Sequence, residues 1–245
     1  MDWFERLTGF REGPYAETRA KLKVDGDRLH SLVNGKSYAI GRLELASLET
    51  LRERARTVSG PHGRLTASVV RGDVRQMHRL PENAGALFQV ASQFNALEMT
   101  GPSLTPEDGV TRYHADHTQG PACAIAAGAA TIYRNYFAPV AGGVGQTADR
   151  QIDGLAAVSE ALSKALNKPV SDLWRMRNGY ALCKPAGLEA ISQHLASLSQ
   201  EEVDALRGKL AIAVQNDVEV TARQWPSGAK APRARPVDIW TTLAH

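Results

Sequence analysis

The segment Gln119 to Tyr136, QGPACAIAAGAATIYRNY, constrains this chain more than any other. It is packed with Ala and Gly, and Pro121 suits the first turn of a helix. Small residues along a helix let it press closely against a neighbouring sheet. The surrounding pattern supplies strands for such a sheet. Arg64 to Val74 is rich in β-branched residues. Ala86 to Ala91 is an apolar run of the length of a buried strand. Leu173 to Leu182, Leu210 to Gln215 and Val237 to Thr241 read as further strands. Helices are expected between them. Over Ala148 to Leu166, residues Ile152, Leu155, Ala156, Val158, Leu162 and Leu166 lie near helical spacing. Pro185 to Leu198 and Ser199 to Leu206 follow, the second opened by the capping signature Ser199-Gln200-Glu201-Glu202. Strands alternating with helices from Arg64 onward predict an α/β layered sheet.

The first quarter reads differently. Asp25-Gly26 and Asn34-Gly35 are turn signals flanked by short alternating runs, which predicts a β-meander. Ser47 then caps a short amphipathic helix to Ala55, and the Gly- and Pro-containing stretch Ser59 to Gly63 breaks it. At 245 residues one large domain is the natural reading. Residues 1–60 form a β-rich extension of it and 61–245 an α/β core. Neither an internal repeat nor a low-complexity block occurs.

Composition excludes several classes. Apolar residues are 43% and charged residues 22%, values of a globular chain. No run of 18 apolar residues exists to span a bilayer. The opening MDWFERLTGFREG lacks the apolar core and cleavage site of a signal peptide. The expectation is a cytoplasmic protein without membrane attachment. Cys123 and Cys183 lack zinc-site spacing and read as two buried free thiols. A net charge of +3 is too small to argue for nucleic acid. The basic, Pro-rich stretch Arg223 to Pro236 reads as a surface loop, or as a contact for a phosphate-bearing partner.

Chemistry-bearing groups concentrate between Gly85 and Thr147, with one just before. Asp73 follows Gly72 at the end of an expected strand, where a carboxylate accepts hydrogen bonds from an exocyclic amine. Gln89, Ser92, Gln93, Asn95 and Glu98 cluster where a strand opens into a long loop; groups that both donate and accept suit a ribose or a base. Gly142, Gly143 and Gly145, with Thr147, precede an expected helix, and backbone N–H groups at a helix start favour an anion. No GKS or GKT follows, so this is not a P-loop, and Arg150 is the nearest downstream base. His114, Asp116 and His117 have no second cluster nearby, so no metal is expected. Ser92 lacks a GxSxG context, and Cys123 lacks an evident partner.

In order, VVRGDV, ALFQVASQFNALE and HTQGPACAIAAGAATIYRNY resemble the macrodomain superfamily, especially its poly(ADP-ribose) glycohydrolase-like branch. The resemblance implies a macrodomain-like mixed sheet flanked by helices. It implies that Asp73 binds adenine and that Asn95 contacts the distal ribose. Thr118-Gln119-Gly120 stands near the place of the branch's Gln-Glu-Glu segment. Gly120 and Pro121 replace the Glu pair, and Met99 to Pro102 replaces a Gly-Gly-Gly loop, which makes Glu98 the nearest candidate acid. The implied catalytic set is Glu98, Asn95 and Gln119. The implied ligand is ADP-ribose or an ADP-ribosylated substrate, handled without a cofactor. The implied reaction is hydrolysis of a glycosidic bond at the distal ribose. Two alternatives stand beside it: a non-catalytic ADP-ribose or nucleotide reader, and an interaction protein acting through residues 223–235. On the nucleotide readings Asp73, the turn at 92–95 and the glycines at 142–145 converge on one cleft.

Overall fold

The computed structural model describes residues 1–60, 63–91, 93–116, 119–213, 218–222 and 238–241. The chain opens on two short helices that its pattern did not announce, α1 (Trp3–Thr8) and α2 (Tyr15–Ala20). The Asp2 side chain caps α1 by accepting the Glu5 N–H at 2.8 Å, and Gly9 ends it in the left-handed region at φ 79°. The expected meander follows as β1 (Leu22–Asp25), β2 (Arg28–Ser31) and β3 (Ser37–Ala39), antiparallel in that order. Next come β4 (Arg42–Leu45) and α3 (Leu48–Thr57), which Ser47 caps as its sequence predicts.

The next expectation fails. Residues 63–73 form no strand. Leu65, Val69 and Val70 stand exposed, because β propensity without a partner edge buries nothing. Asp73 therefore does not end a strand. It precedes the single turn α4 (Val74–Met77), and its carbonyl accepts the N–H groups of Gln76 and Met77 at 3.0 Å. The expected strand at Ala86 to Ala91 is present as β5 (Leu87–Ala91). The small-residue segment is two helices, α5 (Gln119–Ala127) and α6 (Ala129–Tyr136), parted at Gly128 with φ 52°.

The glycine-rich segment does not open a helix either. It folds as the hairpin β6 (Pro139–Val140) and β7 (Gly143–Val144). The helix expected from Ala148 starts only at α7 (Ala156–Leu166). Asp149, Asp153 and Gly154 resist helix ahead of it, and the Asp153 side chain accepts the Leu155 N–H at 2.9 Å. After α8 (Val170–Leu173), the expected strand Leu173 to Leu182 is a hairpin of β8 (Trp174–Arg177) and β9 (Tyr180–Cys183). Asn178 and Gly179, both at positive φ, make its two-residue turn. Helix α9 (Pro185–Ser197) is as predicted. Helix α10 (Gln200–Ala213) begins at the predicted capping box, Ser199 with Glu202. It continues through Leu210 to Ala213, where a strand was expected. The last elements are β10 (Val218–Ala222) and β11 (Asp238–Thr241).

The fold is α/β, with helices and small, mostly antiparallel sheets. One group of strands is larger than its pairs suggest. β4 runs parallel to β11, β11 lies against β10, and β10 pairs antiparallel with β5. Helix α5 packs on β5 and β10, as its small side chains allow. The main core joins Trp3, Phe4, Leu22, Leu29 and Ile40 to Leu97, Met99, Tyr113, Ile132 and Tyr136. A second cluster around Val158, Leu162, Leu173 and Trp174 holds α7, α8 and β8 together. No helix among the described residues is long and apolar enough to cross a membrane.

Candidate functional site

The chain leaves β5 into a tight, buried turn that ends at Glu98. Gln93 holds it: its Oε1 accepts the Met99 N–H at 2.7 Å, and its Nε2 donates to the Met99 carbonyl at 2.8 Å. Asn95 is fully buried. Its Oδ1 accepts the Leu97 N–H at 3.1 Å and its Nδ2 donates to Gln151 Oε1 at 2.8 Å. Gln151 Nε2 donates to Asn178 Oδ1 at 2.8 Å, and Asn178 Nδ2 to the Pro102 carbonyl at 2.8 Å. Buried Gln146 closes the turn from below: its Nε2 donates to the Asn95 and Arg134 carbonyls, and its Oε1 accepts the Ile152 N–H at 3.0 Å. Both ends of the Asn95 amide are thus committed inside the protein, and the residue sets the path of the backbone into Glu98.

Glu98 is 5% exposed. Its carboxylate packs directly on Gly120 in the first turn of α5, where any added Cβ would collide with it. The site exists because position 120 has no side chain. A helix start carries partial positive charge, so it suits an anion. The Glu98 N–H donates to the Tyr113 hydroxyl at 3.0 Å. Burial pushes the Tyr113 phenol far up, against the opposing effect of the bond from the Glu98 N–H. Burial also raises Tyr180, with Glu98 and Asp116 reinforcing it. Tyr180 donates to the Met99 carbonyl at 2.7 Å, so it braces the same turn. The arrangement is a buried carboxylate facing a helix start, flanked by two neutral phenols.

A second pair stands on the same helix. Cys123, fully buried, lies with its Sγ 3.0 Å from His78 Nε2. Spacing gave no sign of this partner, which comes from 45 residues earlier in the chain. A thiol so deeply buried is typically inert. Cys183, expected to be buried, is exposed, because β9 shows that face to solvent.

The other sequence candidates have separate settings. Asp73 is exposed beside α4, which packs on α5. Gln89 lies within β5 opposite Val220, and Gln119 opens α5. A Cβ added at Gly142 would meet nothing within 4 Å, so its outer face is open. Arg150 lies over Gly143 and donates from Nε to the Gly145 carbonyl at 3.2 Å. The Gly145 N–H is already given to the Ala138 carbonyl at 2.8 Å, and Thr147 exchanges backbone bonds with Arg150. Ser92, His117, Thr118 and residues 223–237 lie outside the described residues. Among the described residues no group of three His, Cys, Asp or Glu side chains is placed to hold a metal; His114 Nδ1 sits 2.8 Å from the Thr111 carbonyl.

Sequence reasoning missed Gln146, Gln151 and Asn178. The Asn178-Gly179 dipeptide was a legible hairpin signal. The two glutamines carried no local sign, since their partners are distant in sequence. Comparison with family models, with curated proteins and with solved structures finds no match to any of the three.

Proposed function

We propose that this chain is an ADP-ribose-handling protein of macrodomain-like α/β fold that hydrolyses a glycosidic bond at the distal ribose. The observation that carries the reading is Glu98. Its buried carboxylate follows β5 and faces the first turn of α5. An oxocarbenium-like centre formed there would be stabilised by that charge, and the same carboxylate would orient the attacking water. Asn95 acts on this centre by holding the turn. Asp73 would accept from the adenine amine. The Gly142–Gly143 backbone, beside Arg150, would take the diphosphate. The spatial sequence β4, β11, β10, β5 with α5 laid on its end supports the fold half of the proposal.

Titration calorimetry of the full chain with ADP-ribose tests binding, and release of ribose-linked product from an ADP-ribosylated substrate tests turnover. The expected result is binding by wild type and by Glu98→Gln, with turnover reduced about a hundredfold or more in the variant. No binding heat at about millimolar ADP-ribose removes the proposal. Gly120-Pro121, standing where the resembled branch has its acids, favours the second reading of a reader without catalysis. Binding with no turnover in wild type would select that reading.

A further inference from the structure

A cleft of about 450 Å³ opens where three loops meet, outside the Glu98 turn. They are the stretch with Ser103 and Thr105, residues 148–153, and the β8–β9 turn at 176–179. The volume is within the ~300–1,000 Å³ of small-molecule sites. Two features make this more than a surface dent. First, its floor is fixed. Gln151 and Asn178 line it and are bonded to one another, to Asn95 and to the Pro102 carbonyl. The loops are therefore set before any ligand arrives, which lowers the entropy cost of binding. Second, its charged ends are uncommitted. Among the described residues neither the Asp149 carboxylate nor the Arg177 guanidinium has a partner, and both line the opening.

Charge narrows the ligand. Asp149 and Asp153 against Arg177 leave the lining at one negative charge. Among the described residues Arg177 is the one cation of that lining, so the second phosphate of a diphosphate would have no partner there. Carboxylates only accept, so they select groups that donate, and vicinal sugar hydroxyls are such groups. A single guanidinium matches a single phosphate in bidentate geometry. We infer that this cleft binds a phosphorylated sugar, with Arg177 on the phosphate and Asp149 and Asp153 accepting from the hydroxyls. The inference rests on the ADP-ribose reading for the choice of ribose. The amide chain from Asn178 to Asn95 joins the cleft to the turn that carries Glu98.

The test is calorimetry of the full chain with ribose 5-phosphate, ribose and inorganic phosphate as separate probes. Ribose 5-phosphate is expected to bind, and Arg177→Gln and Asp149→Asn each to weaken it about tenfold or more. Both side chains are exposed, and among the described residues neither is hydrogen-bonded or ion-paired, so circular dichroism should show both variants folded. Failure of wild type to bind ribose 5-phosphate, or wild-type affinity in both variants, overturns the inference. Inorganic phosphate binding as tightly as ribose 5-phosphate overturns it too. ADP-ribose binding by wild type, with no binding of ribose 5-phosphate, removes the cleft and leaves the Glu98 reading standing. Ribose 5-phosphate binding that both variants weaken, with no binding of ADP-ribose, does the reverse.

Discussion

Glu12 shows how one side chain can tie distant parts of a chain. Its carboxylate accepts the Val110 N–H at 2.9 Å, the Thr111 N–H at 2.6 Å and the Tyr136 hydroxyl at 2.8 Å. Bonds to a charged acceptor are each worth about 1.5–3 kcal/mol, and removing it strands the donors. Glu12→Ala should therefore lower stability by about 3 kcal/mol, read as a lower urea midpoint at unchanged slope. Glu12→Gln should recover part of the loss, since an amide oxygen still accepts. Nothing near Glu12 in sequence announces this role, because all three donors lie about a hundred residues away. Glu98 was a candidate acid only through the macrodomain resemblance, as the acid nearest the missing Glu pair. Its partner Gly120 was legible only as a missing acid. That the glycine makes room for the carboxylate needed the fold to reveal it.

At the scale of elements, local chemistry was readable and partnership was not. The Ser47 cap, the Ser199 box and the Asn34-Gly35 turn each depend on residues within a few positions, and each is present. The segment at 64–74 had the composition of a strand, but a strand also needs an edge to join. The glycine-rich stretch had the composition of an anion loop, but no helix follows within hydrogen-bonding reach. The β8–β9 turn is closely fitted to the site. Gly179 has φ 81°, and a Cβ on it would lie 2.5 Å from Asn95 Oδ1. Its carbonyl also accepts the Phe94 N–H at 3.1 Å. Gly179→Ala combines backbone strain with displacement of Asn95, for about 2–4 kcal/mol. A fall in Tm of about 5–10 °C is expected, read by calorimetry. A fall of less than about 2 °C would mean that the Asn95 turn tolerates the intrusion.

For the whole molecule, three phenols link stability to alkaline pH. Burial raises Tyr15 to about 12 against its ordinary 10.0, and raises Tyr113 and Tyr136 further. In the unfolded chain they ionise near 10. The folded state holds their protons more tightly, so their contribution is whole below pH ~10 and is lost as pH rises through ~12. The urea midpoint should fall steeply over that interval, while absorbance of phenolate appears together with unfolding. The chain has six tyrosines, and phenolate from all six before unfolding begins would contradict this.

The exposed stretch at 63–73 has a consequence for how the molecule holds together. Only one covalent strand crosses there, yet the parts on either side are clasped elsewhere. Trp3 Nε1 donates to the Thr111 carbonyl at 3.2 Å, Tyr15 to the Asn135 carbonyl at 3.0 Å, and Glu12 grips Val110, Thr111 and Tyr136. A trypsin nick after exposed Arg64 or Arg71 should leave two fragments that migrate as one particle in gel filtration and separate only in denaturant. The chain would then be a heterodimer that happens to be synthesised in one piece.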